Sequence, residues 1–189
     1  NVAVADLDGD GDKELIGPTD THYVTALDRG GNQLPAGSIY GAGKVWSQVG
    51  VHVDHAVDLR GYANCGVEHR PNWADSAPVV GDLDGDGVRE VVIVGNVYNC
   101  GTDPYTSLYH MPFLFRVDRT RASGAGWDWT VLPTPVSGSG PLSEDYDVIE
   151  TAVPNPALAD LDGDGKKEIL YPSYDGRLHA FSLDRTEHG

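Results

Sequence analysis

Basic residues are scarce in this chain. Lys and Arg number 13 against 29 Asp and Glu, a formal net charge of −16 over 189 residues. Binding to a nucleic-acid backbone or an anionic membrane surface needs clustered Lys and Arg to neutralise phosphates, so neither is a principal partner. Long apolar runs are missing too, and no stretch approaches the roughly 18 residues of a membrane-spanning helix. Nucleophile motifs and phosphate-cradling glycine loops are absent, because the glycines that recur are interleaved with Asp and would repel phosphate. No Asn-x-Ser/Thr glycosylation sequence occurs, Met is found once and Cys twice. With Asn1 in place of an initiator Met and no signal-peptide pattern, the chain reads as a piece of a longer polypeptide. What is plentiful is Gly, at 24, and Pro, at 12. That content interrupts helices and suits short strands joined by turns, while the 40% hydrophobic share is enough to bury a core.

One acidic motif occurs three times. Asp6-Leu7-Asp8-Gly9-Asp10-Gly11-Asp12-Lys13-Glu14 returns as Asp82-Leu83-Asp84-Gly85-Asp86-Gly87-Val88-Arg89-Glu90 and as Asp160-Leu161-Asp162-Gly163-Asp164-Gly165-Lys166-Lys167-Glu168. The copies start 76 and then 78 residues apart, and small or apolar residues flank each one. A further strand signal follows in every copy, over 23–28, 113–118 and 178–184, and each ends on Asp. Trp46, Trp127 and Trp129 mark a candidate last strand in the first two copies. The order per repeat is strand, acidic loop, strand, turn, strand and a fourth strand, an antiparallel meander. Repeats are expected at about 1–50, 76–132 and 154–189, with insertions at about 47–76, 96–110 and 133–150.

The loops carry the chemistry. Positions 1, 3, 5 and 9 hold carboxylates: Asp6, Asp8, Asp10 and Glu14; Asp82, Asp84, Asp86 and Glu90; Asp160, Asp162, Asp164 and Glu168. Gly at positions 4 and 6 lets the backbone curl so that the side-chain oxygens converge, while position 7 (Asp12, Val88 or Lys166) can offer a backbone carbonyl. Gathering that much negative charge costs several kcal/mol without a counter-cation. The oxygen-only donor set suits calcium better than magnesium, zinc or copper. An EF-hand would need Glu at position 12, where this chain has Gly17, Ile93 and Tyr171.

These loops resemble the Asp-x-Asp-Gly-Asp-Gly-x-x-(Asp/Glu) calcium sites of FG-GAP and VCBS-type repeats, the family that includes the β-propeller of integrin α chains and many secreted bacterial proteins. The Phe-Gly signature of FG-GAP repeats is not evident, which places the VCBS-like branch nearer. The resemblance implies an all-β fold of four-stranded propeller blades. It also implies one calcium in each hairpin loop, about three ions in all, held by the carboxylates named above.

Outside the loops the signals are sparser. Cys65 and Cys100 lie in two non-repeating segments around the second motif and are expected to form a disulfide, consistent with an extracellular or cell-surface location. His52, Asp54, His55, Glu68 and His69 make no clean ligand set, and Glu144, Asp145, Asp147 and Glu150 read as a solvated acidic loop. Residues 130–143 have the Ser/Thr/Pro composition of an exposed irregular segment.

Closing a propeller takes at least about four blades, and 189 residues at about 77 per repeat supply two to three. The terminal sheets are therefore expected to be completed by the rest of a longer chain or by copies of the same chain in a polymer. The leading functional expectation is a secreted structural, adhesion or surface-assembly protein that presents loops to glycans or other extracellular proteins. The alternative is the propeller part of a carbohydrate-active enzyme such as a polysaccharide lyase.

Overall fold

The computed structural model describes residues 1–19, 23–50, 76–98, 108–121, 155–172, 177–184 and 188. These form nine strands: β1 (Ala3–Ala5), β2 (Glu14–Pro18), β3 (Val24–Leu27), β4 (Val79–Gly81), β5 (Glu90–Tyr98), β6 (Leu108–Phe115), β7 (Ala157–Ala159), β8 (Glu168–Pro172) and β9 (Leu178–Phe181). They pair only with their sequence neighbours, giving three antiparallel three-stranded sheets, β1-β2-β3, β4-β5-β6 and β7-β8-β9. Each sheet is one copy of the repeat, and the register is the same in all three. Ala5 faces Glu14, Gly81 faces Glu90 and Ala159 faces Glu168, so every acidic loop is the connection closing the first hairpin of its sheet.

Burial orders the sheets. In β5 every residue from Glu90 to Gly95 is buried, a continuous apolar run covered on both faces. β2 instead alternates, with Glu14 and Ile16 inward and Leu15 exposed, as expected of a strand with one face on solvent. The second sheet therefore lies between the other two. β1 contacts β4, and β4 contacts β7, so the short first strands run side by side. One core joins all three sheets, including Ile16, Val24 and Trp46 from the first, Val91, Ile93 and Phe113 from the second, and Ile169, Tyr171 and Phe181 from the third. A ring column of Tyr171, His179 and Phe181, stacked at 5.5 to 6.1 Å, fills the third sheet.

Two expectations are modified. The extra length at 96–110 is in part a longer hairpin, because β5 and β6 continue pairing out to Tyr98 opposite Leu108. The fourth strand is not formed among the described residues. In the first copy it is reduced to the bridges Leu27–Gln33 and Pro35–Val45, and Trp46 sits in a 3-10 turn, Trp46–Gln48. Pro35 has no N–H to donate, and Gly37, Gly41 and Gly43 interrupt the segment, which explains why a ladder does not propagate.

That irregular segment is instead the joint to the second sheet. Gly37 N–H donates to the Asp118 carbonyl at 2.7 Å, Tyr40 Oη to the Arg119 carbonyl at 3.1 Å, and Trp46 Nε1 to the Val117 carbonyl at 3.0 Å. Arg119 is fully buried with φ +67°, its guanidinium 3.7 Å from the Phe115 ring centroid and 5.8 Å from that of Trp46. The aromatic faces favour a cation held there. No sequence signal marked Arg119 as part of the joint.

Candidate metal centre

Each acidic loop is built by its own carboxylates turning the backbone. In the second loop Asp82 Oδ1 accepts from Gly85 N–H at 2.8 Å and Asp82 Oδ2 from Gly87 N–H at 2.9 Å. Asp84 Oδ1 accepts from Asp86 N–H at 3.1 Å, and Asp86 Oδ1 from Val88 N–H at 2.7 Å. Glu90 closes the loop, its Oε2 accepting from Leu83 N–H at 3.0 Å. The third loop repeats all five bonds through Asp160, Asp162, Asp164 and Glu168. In the first loop Asp6, Asp8, Asp10 and Glu14 make the same contacts with Gly9, Asp10, Asp12 and Leu7.

The consequence is convergence. Asp6, Asp8 and Asp10 each place a carboxylate oxygen within 4.8 Å of the others, and so do Asp82, Asp84 and Asp86, and Asp160, Asp162 and Asp164. These Asp-rich groups could hold a metal ion. Glu14 and Glu90 are buried braces on the loop backbone and do not join the Asp triads; Glu168 comes together with Asp162 and His188. The position-7 residues Asp12, Val88 and Lys166 contribute N–H groups to Asp10, Asp86 and Asp164. Asp12 also pairs with Arg29 at 3.1 Å on the exposed rim. Beside the first loop is an open cavity of about 490 Å³, lined in part by Asp8, Asp10, Glu14, Asp28 and Leu34.

Electrostatics mark the second loop. Burial pushes the Glu90 carboxyl above its ordinary value near 4.5, the Leu83 N–H partly opposes this, and the nearby Asp84, Asp86 and Asp82 charges push the same way as burial. Asp28, in the turn after β3, shifts the other way because Asn32 donates to it through both side chain and backbone.

Glycine geometry permits the curl. Gly85 has φ +80°, and among the described residues a Cβ there would meet the Gly165 carbonyl oxygen at 3.6 Å, an ordinary contact. The cost of Gly85→Ala is therefore backbone strain, expected at about 1–2 kcal/mol. Urea denaturation checks it, and an unchanged midpoint would contradict the loop conformation.

Neighbouring loops interlock. The Arg89 guanidinium reaches back to the Asp6 carbonyl and lies 3.3 Å from Asp6 Oδ2, and Lys167 N–H donates to the Leu83 carbonyl at 2.9 Å. Position 8 of one loop thus covers positions 1 and 2 of the loop before it. Accordingly Leu7 and Leu83 are 1% and 0% exposed, whereas Leu161, in the last loop, is 50% exposed.

The fold and loops define the class: the described residues are all-β, in three antiparallel sheets, each with an Asp-rich hairpin loop that could hold a cation. No protein-family model and no curated protein matches the chain. Cys65, Cys100, Trp127 and Trp129, with the His52–His69 and Glu144–Glu150 groups, lie outside the described residues. Among the described residues no helix is long and apolar enough to cross a membrane.

Proposed function

We propose that the chain is a run of calcium-stapled β-propeller blades of the FG-GAP/VCBS type, serving a secreted structural, adhesion or surface-assembly protein. The observation that carries this reading is the threefold recurrence of one loop geometry, in which backbone N–H groups hold clustered Asp carboxylates with their oxygens together. In the first two loops the donors are oxygen alone, which in an adaptable loop favours calcium over smaller or softer ions. Their placement at the same hairpin of every sheet supports a staple for each blade over a single sensor site. Side-by-side first strands support blades whose inner strands line a common axis.

The exposed Leu161 supports a further repeat on that side, supplied by a longer chain or a second copy. An extracellular setting belongs to the same reading, because calcium is abundant there. Isothermal calorimetry on chelator-treated protein tests the reading. Calcium is expected to bind at the first two loops, with one of those two sites lost in Asp84→Ala. Absence of calcium binding at millimolar concentration would overturn it.

A further inference from the structure

We infer that the third loop, unlike the first two, is a mixed nitrogen–oxygen site selective for a zinc-class divalent transition metal, with His188 as the ligand that makes the difference. His188, Asp162 and Glu168 each bring a ligand atom within 4.8 Å of the other two, one from beyond β9, one from the acidic loop and one from the start of β8. Glu168 is 2% exposed, so one carboxylate of the set is withdrawn from water.

The position of His188 follows from the repeat. Its N–H donates to the Ala180 carbonyl at 2.9 Å, as Leu34 N–H does to the Ala26 carbonyl at 2.9 Å. Ala180 and Ala26 occupy the same register, opposite Leu170 and Ile16. Leu34 lines the cavity beside Asp8 and Glu14, the counterparts of Asp162 and Glu168. One structural position therefore faces the loop in both repeats, carrying an inert Leu in the first and an imidazole in the third.

Ser182 Oγ hydrogen-bonds His188 Nε2 and holds the ring in place. Metal-bound imidazoles are commonly held in this way through their other nitrogen. Imidazole with carboxylates suits zinc and its neighbours, whereas the first two loops offer oxygen alone. The inference relies on the cation-loop reading above for Asp162 and Glu168, but not on the ion being calcium.

The test is a titration of untagged, chelator-treated full chain with Co²⁺, followed by its visible absorption, alongside a calcium titration by calorimetry. His188→Gln is expected to weaken the tightest Co²⁺ site by about tenfold or more, the scale on which even the partner that orients a ligand matters. Calcium binding at the first two loops should be unchanged. Leu34→His is expected to add a second Co²⁺ site at the first loop. Co²⁺ affinity insensitive to His188→Gln would overturn the inference, and with calcium binding intact would leave the calcium reading standing. His188-dependent Co²⁺ binding without calcium binding at any loop would overturn the calcium reading and uphold this one.

Discussion

Chelation of calcium is expected to lower the melting temperature of the chain substantially, and added calcium to restore it. An ion that binds the folded loop and scarcely the unfolded one stabilises by mass action, about 2.7 kcal/mol per site when calcium is a hundredfold above Kd. For a domain of this size each kcal/mol shifts the melting temperature by about 2–4 °C. Asp84→Ala should reproduce one site's share of the loss. The pH dependence of the cation-free protein has a definite sign. Glu90 is raised in the folded state by burial and by the charges of Asp84, Asp86 and Asp82, so its contribution is present below its ordinary value near 4.5 and is lost as pH rises through the folded value. In chelator the chain should therefore gain stability on acidification from neutrality toward pH ~5. With calcium bound the trend should reverse, because protons then compete with the ion. Differential scanning calorimetry across that range, with and without chelator, is the measurement. A melting curve indifferent to calcium would end the staple account.

Trp46→Ala is the second large effect expected. Trp46 is completely buried in the joint between the first two sheets, donates from Nε1 to the Val117 carbonyl and faces the Arg119 guanidinium. Truncating a buried Trp costs about 3–5 kcal/mol through lost contacts and the cavity left behind. Here the Val117 carbonyl also loses its donor and Arg119 part of its aromatic surround. Trp46→Phe keeps a ring but not the N–H and should recover more than half of the loss. Chemical denaturation of the three proteins compares them, and a loss below about 1 kcal/mol in Trp46→Ala would show that the joint does not hold the sheets together.

The sequence alone was enough to locate the acidic loops and to place a strand on either side of each. The reason is local. Asp and Gly at fixed spacing satisfy their own backbone within nine residues, so Asp82 to Glu90 folds by contacts that a linear reading can count. The antiparallel meander was legible for the same reason, since every strand pairs with its sequence neighbour.

Contacts between repeats were not legible. Arg89 on Asp6 and Trp46 beside Arg119 join residues more than 70 positions apart, and nothing in local spacing distinguishes those side chains from solvated ones. The fourth strand expected in the first copy belongs here too: Trp46 suggested a last strand, but among the described residues that segment makes its hydrogen bonds to the turn of the next sheet. His188 shows the same division. In the sequence it is one of seven histidines. Only the register of β8 with β9 sets it where the first repeat has Leu34, beside Asp162 and Glu168. Local hydrogen bonding thus determined the loops and hairpins from the sequence. Burial and long-range packing, which depend on where the chain returns to itself, decided how the sheets join and which residue faces the first and third loops.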